Sequence, residues 1–166
     1  MLQRRSLFAL PVAALLGGCG FKLRGKQNYA FETIAVTPEK GAAVASELSR
    51  YLGDMVRPVA PPAGVVPPEV IVDILGETRE KVIVALNASG QVREYQLRIK
   101  VRFRMRTSQG RDLIEPTDIL QERDISFNES AVLAKEAEEV LLYRDMQSDI
   151  VQQLLRRIAA VKSLNP

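Results

Sequence analysis

The 166-residue sequence has no histidine, no tryptophan and a single cysteine, Cys19. Without histidine there is no imidazole to run a catalytic triad, ligate zinc or hold a haem iron. One cysteine permits neither an internal disulfide nor a cysteine-held metal cluster. No catalytic residue, metal or cofactor is therefore expected, and the composition argues against an enzyme. Aromatic residues make up 5% of the chain, few for a nucleic-acid stacking platform, and a net charge of +3 is too small to argue for a nucleic-acid partner. What is present is a balance of 46% hydrophobic and 26% charged residues, which excludes global disorder and a multi-span membrane protein. The length suits one domain of ordinary size with a short tail.

The chain opens with Arg4 and Arg5, then an apolar run from Leu7 to Leu16, then Gly17, Gly18 and Cys19. Basic residues, a short apolar run and small residues make a secretory signal peptide. The run is too short for a membrane-spanning helix, which needs about 20 residues. Leu16-Gly17-Gly18-Cys19 resembles the bacterial lipobox, so residues 1–18 are expected to be removed and Cys19 to carry the lipid. Two or three acyl chains, at about 0.8 kcal/mol per buried methylene, give durable membrane attachment. Gly20, rather than aspartate, follows the cysteine; by resemblance to Gram-negative sorting signals this points to the outer membrane. Cleavage removes Arg4 and Arg5 and no acid, so the mature charge falls to +1.

After an anchor-proximal segment (19–30), residues 31–162 read as a single α+β domain, with a tail at 163–166. Phe31 to Thr37 alternates and is β-branched, predicting a strand, and Val44, Leu48, Tyr51 and Leu52 predict an amphipathic helix over 39–54. Residues 58–68 hold five of the nine prolines and predict a loop. Val70–Leu75 and Lys81–Leu86 predict one long strand, bulged near Gly76, and Asn87-Ala88-Ser89-Gly90 a turn. In the next strand Tyr95, Leu97, Ile99, Val101, Phe103 and Met105 alternate with Gln96, Arg98, Lys100, Arg102, Arg104 and Arg106. One face must be core and the other carries a ladder of cations. Leu113 to Phe127 predicts a fourth strand bent at Pro116, whose Glu122 and Asp124 can pair with the arginines. Asn128, Glu129 and Ser130 are cap candidates for a helix to about Val161, with Leu133, Ala137, Val140, Tyr143, Met146, Ile150, Leu154, Ile158 and Val161 as its apolar stripe. The predicted fold is α+β: a four-stranded, mainly antiparallel sheet with two helices packed on one face, in the order β-α-β-β-β-α.

The cations of the third strand follow one another at about 6–7 Å along one face. They fit either a solvated sheet face balanced by acids on neighbouring strands, or contact with an acidic, phosphate-bearing or polar-walled partner. An enzyme reading would rest on Glu122 and Asp124, the only tempting carboxylate pair, and no Gly-x-Ser-x-Gly motif accompanies it.

Three stretches resemble the family of lipopolysaccharide-assembly lipoproteins called LptE: Gly18-Cys19-Gly20-Phe21-Lys22-Leu23-Arg24-Gly25, the hairpin Ser89-Gly90-Gln91 with Glu94-Tyr95-Gln96-Leu97, and Val132-Leu133-Ala134-Lys135-Glu136. The resemblance implies a non-catalytic lipoprotein of the outer membrane, held by a periplasm-side anchor. Such a protein plugs the lumen of the LptD-type β-barrel, helps assemble it and assists placement of lipopolysaccharide in the outer leaflet. It also implies a lipopolysaccharide contact at Lys135. Ala88 departs from the family at a position that can be basic, and Arg93 is the candidate substitute. Arg98, Lys100, Arg102, Arg104 and Arg106 would face the barrel. The alternative is an accessory lipoprotein of another envelope lipid-transport or barrel-assembly complex.

Overall fold

The computed structural model describes residues 28–164 except residue 39; the expected signal peptide, Cys19 and the final two residues lie outside the described residues. The elements are β1 (Ile34–Thr37), α1 (Ala43–Leu52), β2 (Val70–Leu86), β3 (Val92–Thr107), β4 (Asp112–Ser126) and α2 (Val132–Ala160). They form a four-stranded sheet in the order β1-β2-β3-β4, parallel between β1 and β2 and antiparallel elsewhere. The predicted order, the mainly antiparallel sheet and the α+β class are as expected from the sequence.

The alternation of β3 organises the layers. Leu97, Ile99, Val101, Phe103 and Met105 are fully buried against Val44, Leu48, Met146, Ile150, Leu154 and Ile158 of the two helices. Burying a side chain of this size contributes about 1.5–3 kcal/mol. Among the described residues no helix lies over the opposite, cation-bearing face.

Strand β2 changes character halfway along. Val72 lies opposite Met105 and Ile74 opposite Phe103, so both face the helices. The register then skips Leu75 and resumes with Gly76 opposite Arg102 and Glu77 opposite Val101. One extra residue in a strand exchanges which positions face the core. Glu77, Arg79 and Lys81 are thereby turned toward the helices, opposite Val101, Ile99 and Leu97. They meet polar partners there. Glu77 bonds the backbone N–H of Val44, Arg79 donates to Gln147 at 2.7 Å, and Gln147 donates to the buried Glu47 at 2.6 Å. Ser148 donates to the second oxygen of Glu47 at 2.8 Å, leaving that carboxylate satisfied.

The apolar stripe predicted for the long helix is buried only in its second half. Met146, Ile150, Leu154 and Ile158 are inaccessible, whereas Leu133 is 82% and Val140 68% exposed. The 29 residues of α2 extend about 43 Å, and its first half runs alongside the polar stretch of β2 rather than over the apolar core. The spacing 133–137–140 also winds away from the 146–150–154–158 row, so the two halves present different sides.

Candidate functional site

Two surfaces carry the residues singled out by the sequence. The first is the open sheet face. Arg98 pairs with Glu122 at 3.0 Å and Lys100 with Asp118 at 2.9 Å, both across the β3–β4 ladder. Arg104 and Arg106 each reach the same carboxylate oxygen of Asp73, on β2, at 2.8 Å. The Arg102 side chain is exposed and has no hydrogen-bond or ion-pair partner among the described residues. The ladder is therefore largely balanced by acids of neighbouring strands, with its surplus charge at Arg102 and beside Asp73. Asp124, the other half of the tempting carboxylate pair, accepts a hydrogen bond from Gln96 at 3.0 Å.

Asp73 was not singled out by the sequence, although a lone acid in Val70-Ile-Val-Asp-Ile-Leu75 is the signal that could have found it. Burial pushes its carboxyl up, but hydrogen bonds from Arg106, Thr37 and Arg104 and the Arg106 charge outweigh this and hold it below the usual carboxylate value. Thr37 donates at 2.7 Å, tying β1 into the same group.

The second surface lies where the β2–β3 hairpin meets the start of α2. The turn is held by Asn87 Oδ1, which accepts the backbone N–H groups of Ser89 and Gln91, both at 2.9 Å, while Gly90 supplies φ +79°. Gln91 then donates to Glu129, and Asn128 accepts from the Ser130 N–H, fixing the entry to α2. Here Lys135 donates to Ser126 at 3.0 Å and to Glu138 at 2.8 Å. Lys81 arrives from the opposite side, 2.6 Å from Glu139 and 4.3 Å above the Tyr95 ring. The hydrogen bond that Lys81 donates to Glu139 raises the ammonium pKa against the opposing effect of burial. Tyr95 packs edge-on against Phe127 at 5.5 Å. Lys81, Tyr95, Ser126, Phe127 and Lys135 line a cavity of about 60 Å³, room for a small polar group and not for an acyl chain.

Lys135 and Lys81 thus converge, while Arg93 remains exposed and has no side-chain partner among the described residues, its carbonyl accepting the Phe127 N–H at 2.8 Å. Lys81 escaped the sequence reading because its inward orientation depends on the bulge at Leu75. Among the described residues no group of acidic, histidine or cysteine side chains is arranged to hold a metal ion, and no helix is long and apolar enough to cross a membrane.

Comparison with curated proteins gives no significant match. Among solved structures, an uncharacterized lipoprotein B from Nitrosomonas europaea is 37% identical, covering 85% of this chain and 91% of its own, with a TM-score of 0.69. A rare lipoprotein B from Shewanella oneidensis (21% identity, 77% and 92% covered, TM-score 0.61) shares the fold. So does a minor lipoprotein from Acinetobacter baumannii (22% identity, 80% and 94% covered, TM-score 0.60). The family model described as LptE, lipopolysaccharide-assembly, matches residues 31–158, from the strand that opens the sheet to the last buried turn of α2. The chain belongs to the LptE family of lipopolysaccharide-assembly proteins.

Proposed function

We propose that this protein is an outer-membrane lipoprotein, anchored through Cys19, that occupies the lumen of an LptD-type barrel. In that position it helps the barrel assemble and assists delivery of lipopolysaccharide to the outer leaflet. The observation that carries this reading is the open sheet face. A two-layer α+β domain must leave one sheet face uncovered, and here that face is a ladder of paired charges with a free guanidinium at Arg102. The lumen of a membrane barrel is polar. A plug therefore needs a hydrophilic, hydrogen-bonding wall, and forked guanidinium donors suit such a partner.

Lys135 is the residue assigned to a lipopolysaccharide phosphate. Its ammonium carries three donors, and Ser126 and Glu138 take two of them. One donor stays available to an incoming anion, and Lys81 supplies a second positive charge across the cavity. Neither lysine is left bare in the absence of ligand, because Glu138 and Glu139 hold them in place.

The experiment is site-specific photo-crosslinking in cells, with the reactive side chain at position 102. It is expected to give one adduct with a large β-barrel protein. Absence of that adduct, with efficient crosslinking from position 133 to some other envelope protein instead, would replace the plug reading by the accessory-subunit reading.

A further inference from the structure

A second cationic feature lies on the helix side of the molecule. Between α1 and α2 runs a cleft of about 430 Å³ lined by Glu47, Arg50, Tyr51, Arg144, Gln147 and Ser148. Arg79, Arg98, Arg104, Arg106 and Arg123 sit in ion pairs, but the side chains of Arg50 and Arg144, like those of Arg93 and Arg102, make no hydrogen bond or ion pair among the described residues. Glu47, the acid in the cleft, forms no ion pair with either of them: its two oxygens accept from Gln147 and Ser148, so the lining carries two guanidiniums against one carboxylate. Tyr51 is 57% exposed, so its hydroxyl is open to an oxygen partner.

The cleft opens onto apolar surface. Gln147 and Ser148 lie on the side of α2 that meets α1, and counting back by helical spacing continues that side through Arg144, Val140, Ala137 and Leu133. Leu133, Val140 and Leu141 are each more than half exposed, and the row from Leu133 to Arg144 spans about 16 Å. Single exposed leucines need no explanation, but a continuous stripe beside unpaired cations does.

We propose that the cleft binds the phosphate head of a glycerophospholipid, its acyl chain lying along the Leu133–Val140–Leu141 stripe. Two guanidiniums and a phenol supply the forked donors that a phosphate takes up, and the stripe supplies the apolar contact that a free anion would leave unused. A single row of side chains suits a lipid with one or two chains rather than a many-chained glycolipid. This site is separate from the one assigned to Lys135. Lys135 and Arg144 are nine positions apart, which is about two and a half helical turns, so they face opposite sides of α2.

Native mass spectrometry of the full acylated chain, released from a neutral detergent, tests this with three probes: dioctanoyl phosphatidate, dioctanoylglycerol and inorganic phosphate. Phosphatidate is expected to bind one to one, well ahead of the other two. Arg50→Gln and Arg144→Gln should each weaken it about tenfold. The double variant Val140→Ser, Leu141→Ser should weaken phosphatidate and leave phosphate unchanged, and because it lies outside the core it serves even if an arginine variant misfolds. Equal binding of dioctanoylglycerol would overturn the head-group role, and equal binding of inorganic phosphate would overturn the role of the stripe. Loss of binding in Lys135→Gln with Arg144→Gln unaffected would move the lipid to the other side of α2 and overturn the assignment.

Discussion

The carboxylate of Glu77 accepts the backbone N–H of Val44 at 3.1 Å, so a residue of β2 caps the helix that precedes it in the chain. Ala42, at the N-cap of α1, has no side-chain oxygen to do this. The bulge at Leu75 is what turns Glu77 toward the helix, joining the strand register to the helix start. Replacing Glu77 by alanine is expected to cost about 1–2 kcal/mol in urea unfolding, whereas Glu77→Gln, which keeps an acceptor, should retain most of the stability.

The Asp73 triad gives the protein an acid-sensitive component. Its folded carboxyl lies below the usual value, so the stabilisation is fully present above the unfolded pKa near 3.9 and is lost as pH falls through that value toward the folded one. Asp73→Asn should be less stable at neutral pH by about 1–3 kcal/mol, and its stability should fall less than that of the wild type between pH 5 and pH 2. Unfolding free energies measured across that range check it; parallel curves would remove Asp73 as the source.

The two halves of α2 should respond oppositely to truncation. Ile150 is fully buried, and Ile150→Ala is expected to cost about 2–5 kcal/mol through lost contacts and a cavity. Leu133→Ser removes an exposed side chain and should change stability by no more than about 0.5 kcal/mol. Thermal melts of the two variants separate these outcomes.

Lys135→Gln is expected to weaken lipopolysaccharide binding severalfold while leaving the melting temperature unchanged. Glutamine retains a donor for Ser126 and loses the charge, which makes it a cleaner probe than a reversal placed among Glu136, Glu138 and Glu139. Unchanged binding by surface plasmon resonance would return Lys135 to a structural role at the helix start.

Much of the fold was legible from the sequence, because strict alternation in β3 and the proline-rich break at 58–68 are local signals. What was not legible depended on register. The sharing of Asp73 by Arg104 and Arg106 requires β2 to lie against β3 in one alignment, and the inward turn of Lys81 follows only after Leu75 is skipped. Helical spacing likewise identifies the apolar positions on α2 but not where the core ends, and Leu133 and Val140 belong to the part of the apolar stripe that stays exposed. At the candidate site, Lys135 and its neighbour Glu138 were readable at helical spacing. Lys81, 54 residues earlier, was not.

The most direct measurement is affinity isolation of the full-length, acylated protein from detergent-solubilised envelopes. A plug of an outer-membrane barrel should bring down one large β-barrel protein in equal amount, and the charge reversals Arg102→Glu and Arg98→Glu together should reduce the yield. Recovery of inner-membrane transporter subunits in place of a barrel protein, or recovery of the barrel unaffected by those reversals, would contradict the placement of the charged sheet face against a barrel wall.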